Sequence, residues 1–242
     1  KTRKEFMQAH VVYCRFTKYP KIDRYTNVGK LIALRDSILI SMDYQLTTKK
    51  LKTNIPVDYD KHLYSRVFKD RWNIYSEKPI KNASEYCSLL RKVVNSDESR
   101  QVALLELFEK HPKMIVFYNY NYELDILRNI CKASDINYAE WNGHNHQPIP
   151  ETESWAYLVQ YTAGAEGWNC IKTDTTCFFS LNYSYKIMAQ SEGRIDRLNT
   201  PFKTLYYYYL KSSSSIDLAV GRALSNKKRF NENKFAGFEE SE

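Results

Sequence analysis

The chain has 242 residues, and what it lacks narrows the field. Its five cysteines, Cys14, Cys87, Cys131, Cys170 and Cys177, are odd in number and widely spaced. That pattern excludes a dense disulfide framework and fits reduced core thiols. The seven glycines are scattered, and none is followed by Lys-Ser or Lys-Thr, so a Gly-x-x-x-x-Gly-Lys-Ser/Thr phosphate loop is missing. No apolar run is long enough to cross a membrane, and no signal-peptide pattern opens the chain. His144-x-His146 has ligand spacing, but no Cys or third His stands beside it, so no metal is expected there.

Positive charge is abundant and uneven. Residues 1–53 carry 12 Lys/Arg against 4 Asp/Glu, whereas residues 54–242 carry 24 of each. The whole net charge of +8 therefore sits in the N-terminal fifth. There, Arg15, Lys18, Lys21 and Arg24 alternate with Tyr13, Phe16, Tyr19 and Tyr25. Basic groups neutralise phosphates and aromatic rings stack on bases, so Lys18, Lys21 and Arg24 are candidate nucleic-acid contacts. An exposed linker or interface accounts for the same composition equally well.

Residues 114–118, Met-Ile-Val-Phe-Tyr, read as a buried strand. Asn121 then opens a helix with acids in its first turn. Further strands are expected at 137–141, 155–162, 175–181 and 202–210, and helices at 183–197 and after Ser215. Upstream, helical spacing appears at 28–41, 59–71, 83–94 and 99–111. Asp97-Glu98-Ser99-Arg100 imitates an acidic magnesium box, but no apolar strand precedes it, and it reads as a helix start. Strands alternating with helices predict an α/β fold with a mostly parallel sheet covered on both faces, preceded by a mainly helical N-terminal region. In Tyr206-Tyr207-Tyr208-Tyr209, alternate rings point to opposite faces of a strand, which favours sheet packing over base stacking.

Two runs carry the chemistry. The first is Thr162-Ala163-Gly164-Ala165-Glu166-Gly167-Trp168-Asn169, a small-residue turn after a strand. Such a turn offers backbone N–H groups to phosphates without side-chain obstruction. The second is Gln190-Ser191-Glu192-Gly193-Arg194-Ile195-Asp196-Arg197. On a helix, Gln190, Arg194 and Arg197 share one face, with Gly193 allowing close approach. The plainer interpretation pairs Arg194 and Arg197 with Glu192 and Asp196 on a solvated face.

The order of the Ile-Val-Phe-Tyr strand, Asn142-Gly143, Thr-Ala-Gly-Ala-Glu-Gly-Trp-Asn and Gln-x-x-Gly-Arg-x-x-Arg resembles the second RecA-like lobe of superfamily-two helicases. It is closest to Swi/Snf-like and phage-encoded DNA helicases, and it covers about residues 100 to 235. Trp168 stands where Leu is more usual. The resemblance implies the C-terminal motor lobe of an ATP-dependent helicase or translocase. ATP and Mg2+ would be bound mainly by a first lobe missing from these residues, and the start at Lys1 rather than Met reads as an excised or processed chain. Arg194 and Arg197 would be arginine fingers. Gln190, Gly193, Gly164, Glu166, Gly167 and Asn169 would sense nucleotide and couple it to nucleic acid. Asn119, Tyr120, Asn121, Gly143, His144 and Thr162 would touch the nucleic-acid backbone.

The implied partners are DNA, with RNA as the alternative, and the N-terminal helicase lobe, with no membrane. The implied location is cytoplasmic, in the host if phage-encoded, in a replication setting. The expected divisions are 1–57, a basic linker or end of the first lobe; 58–98, a helical connection; and 99–242, the RecA-like lobe. Taken alone, the fragment is expected to be inactive. The competing function is a non-catalytic nucleic-acid- or protein-binding module on a helicase scaffold.

Overall fold

A computed structural model describes residues 2–14, 19–20, 22–39, 48–164 and 168–237. The chain divides into two compact units, residues 1–45 and 46–242. The first contains α1 (Arg3–His10), β1 (Val11–Tyr13), β2 (Ile22–Tyr25) and α2 (Val28–Ile38). Thr2 and Glu5 form a capping box at the start of α1. β1 and β2 form an antiparallel pair. None of the described residues in this unit is buried.

The second unit begins with β3 (Lys49–Val57), α3 (Lys61–Asp70), β4 (Trp72–Asn73), β5 (Lys78–Pro79), α4 (Ala83–Asn95) and α5 (Glu98–Lys110). It continues through β6 (Lys113–Tyr118), α6 (Asn121–Ala133), β7 (Asn137–Trp141), β8 (Trp155–Gln160) and α7 (Tyr161–Gly164). It ends with β9 (Thr175–Phe178), α8 (Tyr185–Glu192), β10 (Thr204–Ser212), α9 (Ser215–Ser225) and α10 (Glu232–Ala236). Six strands form one sheet in the order β3-β10-β9-β6-β8-β7, and every pairing is parallel.

The strand sequences explain the layers. Along β6, Ile115 and Phe117 enter one core while Met114, Val116 and Tyr118 enter the other. β8 splits the same way, with Trp155, Tyr157 and Val159 opposite Ala156 and Leu158. A strand buried on both faces reads as an unbroken apolar run, because successive side chains alternate between two dry layers. On the first face, α4 packs Tyr86, Leu89, Leu90, Val93 and Val94, a helical stripe of spacings three and four. On the second face, α5 and α6 contribute Leu104, Leu107, Phe108, Leu124 and Leu127. Tyr207 and Tyr209 enter the first core and Tyr208 packs on the second, so the tyrosine run is core material.

Asp97 caps α5 by accepting from the Ser99 backbone N–H at 3.0 Å, which makes the acidic tetrad a helix start. Its Arg100 is fully buried. It donates to the Phe179 carbonyl at 2.5 Å, the Leu210 carbonyl at 3.0 Å and Asp217 Oδ2 at 2.7 Å. One guanidinium thus ties α5 to the ends of two strands and to α9.

Three local expectations differ from the structure. Residues 49–57, expected within the basic linker or end of the first lobe, form an edge strand of the sheet. The helix expected over 183–197 stops at Glu192, with Gly193 as its C-cap (φ −70°, ψ −4°). Ile195 is then drawn fully into the core and Asp196 is held by Lys50, so the chain leaves the helix axis. Residues 161–164 wind into a short helix instead of extending β8 into a loose turn. Trp141 Nε1 holds that helix by donating to the Ala163 carbonyl at 3.1 Å.

Candidate functional site

Among the sequence-predicted residues of the second unit, those after β6, β7 and β8 lie around the carboxyl ends of the parallel strands, where α/β sheets place their ligands. The run after α8 lies instead toward the amino end of β3, where Lys50 and Thr48 hold Asp196. These residues form three groups.

The first group follows β6 and β9. Glu123 is fully buried. Its Oε2 accepts from the Asn119 N–H at 2.7 Å and the Ser180 hydroxyl at 2.9 Å, and its Oε1 from Asn95 Nδ2 at 2.7 Å. Asn119 Nδ2 donates to Ser180 Oγ at 2.8 Å and to the Leu181 carbonyl at 3.1 Å, while Asn182 Nδ2 donates to Asn119 Oδ1 at 2.8 Å. This network fixes a cleft of about 390 Å³ into which Asn119, Tyr120 and Thr162 open, together with Asn182, Ser184 and Arg229. Arg91 also lines it. Its guanidinium lies 5.3 Å from the Tyr120 ring centroid and 5.0 Å from that of Tyr183. Burial raises the Tyr120 hydroxyl above its ordinary pKa and keeps it neutral.

The second group follows β7 and β8. Asn121, Gly143 and His144 line a separate cleft of about 520 Å³ with Asp125, Arg128 and Gln160. The Asn142 side-chain oxygen accepts from the His144 and Asn145 N–H groups, each at 3.0 Å, and shapes the turn. Arg128 forks onto Glu140 through Nε at 2.7 Å and Nη2 at 2.9 Å, and donates to Asp125 at 3.2 Å. Burial alone would raise the Glu140 pKa, but Arg128, Asn145 and Asn142 outweigh it and hold the carboxyl below its ordinary value. His146, the other member of the His-x-His pair, stacks on Trp141 at 4.3 Å. Among the described residues, no three His, Cys, Asp or Glu side chains gather into a metal-holding group.

The third group brings the two chemistry-bearing runs together. Arg194 Nη1 donates to the Trp168 carbonyl at 2.8 Å, and the Cys170 N–H donates to the Arg194 carbonyl at 3.0 Å. Trp168 is buried against Phe117, Trp141 and Tyr157. Asn169 is exposed beside it, and Gly164 ends α7. Gln190 is half-buried in the last turn of α8. A Cβ on Gly193 would meet the Gln190 carbonyl at 3.4 Å, ordinary contact, so Gly193 is not required for space.

The acids nearest the arginines are taken elsewhere. Lys52 of β3 binds Glu192 at 2.6 Å, Tyr209 donates to the same carboxylate at 2.6 Å, and Asp196 is held by Lys50 and Thr48. Arg194 and Arg197 therefore do not neutralise Glu192 and Asp196, which removes the plainer interpretation of this run. Arg197 is half-buried, and its Nε has no hydrogen-bond partner. An anion would satisfy it.

Glu166 and Gly167 lie outside the described residues, as do Lys18 and Lys21. Arg24 is in the N-terminal unit, exposed and paired with Asp23 at 3.1 Å. Arg91, Asn182, Ser184 and Arg229 escaped the sequence analysis. The Lys227-Lys228-Arg229 triplet is the one local signal in the sequence for Arg229. In the structure it follows the end of α9 at Ser225.

The fold defines the class: a RecA-like α/β lobe built on a six-stranded parallel sheet. In particular, the chain is similar to the C-terminal part of the Fun30 ATPase domain, with 13% identity, a TM-score of 0.59, and coverage of 80% of this chain and 94% of that one. It is also similar to the Sulfolobus solfataricus SWI2/SNF2 ATPase core in complex with dsDNA, with 16% identity and a TM-score of 0.55. That match covers 78% of this chain but 45% of the other, so this chain spans less than half of that core. No protein-family model matches the sequence, and no curated protein does. No helix among the described residues is long and apolar enough to cross a membrane.

Proposed function

We propose that this chain is the C-terminal motor lobe of an ATP-dependent DNA helicase or translocase. The observation that carries the reading is the joining of residues 168–170 to Arg194 within a RecA-like lobe. In that arrangement Arg194 and Arg197 stand ready to meet charge developing on a transferring phosphoryl group, as arginine fingers do. The orphaned Nε of Arg197 fits such an anion.

ATP with Mg2+ would supply the transferable phosphoryl group and the neutralising cation, held mainly by a first lobe. Gln190, Gly193, Gly164, Glu166, Gly167 and Asn169 are the residues we assign to sensing and coupling. Asn119, Tyr120, Thr162, Asn121, Gly143 and His144 are assigned to the nucleic-acid backbone. The dsDNA in the Sulfolobus neighbour supports DNA as the ligand.

The buried, carbonyl-bonded state of Arg194 favours a second reading, in which that residue is structural and the lobe is a non-catalytic binding module. One experiment separates the two. The 242-residue chain alone should hydrolyse ATP at background rate, and the chain joined to its first lobe should show DNA-stimulated hydrolysis. A joined protein that binds DNA without any stimulated hydrolysis would establish the module reading.

A further inference from the structure

The cleft after β6 and β9 differs in charge from its neighbour. Its lining holds two guanidinium groups, Arg91 and Arg229, and no carboxylate. In the cleft after β7 and β8, Arg128 is already neutralised by Glu140 and Asp125. Among the described residues Arg229 makes no ion pair, and Glu232, the nearest acid in its own segment, is not bonded to it. A cation left over at the strand ends is therefore found in the first cleft.

Arg229 is held in place although its side chain is exposed. The next residue, Phe230, is buried in the core, packs its ring tilted against Tyr183 at 4.8 Å and donates its N–H to the Tyr183 carbonyl at 3.0 Å. Tyr183 itself lines the cleft, so this anchor sets Arg229 at its mouth. Below, Arg91 is 2% exposed and donates to the Leu181 carbonyl at 2.6 Å, its only hydrogen bond among the described residues. Its Nε has no partner. The first turn of α8 borders the same space through Ser184 and Ile187, adding the partial positive charge of a helix start. The hydroxyls of Ser184 and Thr162 and the amide of Asn182 complete a lining suited to a singly charged, oxygen-rich group.

We propose that Arg229, with Ser184 and Thr162, seats one phosphodiester of a DNA strand, over the positive floor formed by Arg91. This deepens the motor-lobe reading and rests on it. The seat adds a phosphate contact from the segment after α9. A phosphate contact positions the strand without reading sequence, so its loss should weaken binding uniformly.

The test uses the 242-residue chain and a short fluorescein-labelled DNA duplex, with anisotropy measured across a salt series. Arg229→Ala should weaken binding by about fivefold or more and lower the slope of log K against log salt by about one. Arg229→Lys should keep most of both. Lys132→Ala removes one exposed charge at the far end of α6, about 16 Å along the helix from Asn121. It should change neither. Unchanged affinity and slope in Arg229→Ala, with normal salt-dependent binding by the wild type, would overturn the seat and leave the motor-lobe reading intact. Equal losses in Arg229→Ala and Lys132→Ala would also overturn it, by tracing the effect to net charge. Absence of DNA binding by the wild-type chain at low salt would overturn both.

Discussion

The guanidinium of Arg194 donates through Nη1 to the carbonyl oxygen of Trp168 at 2.8 Å. Trp168 is buried against three aromatic rings and Arg194 is 9% exposed, so the bond lies where water competes little for either group. A displacement at the arginine is thereby passed to the segment after α7.

In the two-lobe protein, Arg194→Ala and Arg197→Ala should each lower kcat by about a thousandfold or more, with a far smaller change in ATP affinity. The interaction grows only as charge develops in the transition state. Arg194→Ala should also reduce thermal stability, because the Trp168 carbonyl loses its donor, whereas Arg197→Ala should leave stability nearly unchanged. Lysine should rescue either poorly, since it lacks the planar fork. Steady-state kinetics with a melting curve for each variant check this. Full turnover in both alanine variants would contradict the arginine-finger assignment.

Arg100→Met should be severely destabilising, by about 3–5 kcal/mol, because Asp217 would remain buried without its counter-charge. The two strand-end carbonyls would lose a donor as well. Arg100→Met paired with Asp217→Asn should recover part of that loss, because the stranded charge is gone. Urea unfolding of the single and double variants measures the difference, and equal stability of the two would argue against a charge origin.

Acid should weaken the Arg128–Glu140 fork. The folded Glu140 carboxyl sits below its ordinary value, so its contribution is present above the unfolded value near 4.5 and disappears as pH falls through the lower folded value. Stability should therefore drop between pH 5 and the acid limit by more in the wild type than in Arg128→Met. Parallel pH profiles would remove this pair from the acid response.

Reversing Lys18, Lys21 and Arg24 to Glu together should lower DNA affinity and flatten its salt dependence while leaving the fold of residues 46–242 intact. Circular dichroism and the same anisotropy titration read the two effects. Unchanged affinity would assign the basic N-terminal stretch to a linker or protein interface.

Much of the lobe was legible in the sequence because its signals are local. The strands β6 and β8 are apolar on both faces, so composition alone announces burial. The cap at Asp97 acts within two residues of itself. The edge strand β3 was not legible, for a physical reason. Its exposed residues include Lys49, Lys50 and Lys52, which suit an edge that must not pair further. The apolar alternation that marks a strand is therefore absent, and only pairing with β10 reveals it. The end of α8 was likewise decided by distant partners. Helical spacing continues through Arg197, but burial of Ile195 and the bond from Lys50 to Asp196 turn the chain after Gly193.

By itself the amino-acid order determined the fold class and the alternation of strand and helix. These follow from side-chain period and from residues near one another in the chain. Tertiary structure alone decided which cations meet a carboxylate. Lys50 and Lys52 bind Asp196 and Glu192, Arg128 binds Glu140, and Arg100 binds Asp217, whereas Arg229, which shares a cleft with Thr162 and Ser184, makes no ion pair among the described residues. Charge pairing depends on distances of a few ångströms between residues far apart in the chain, and sequence spacing does not encode those distances.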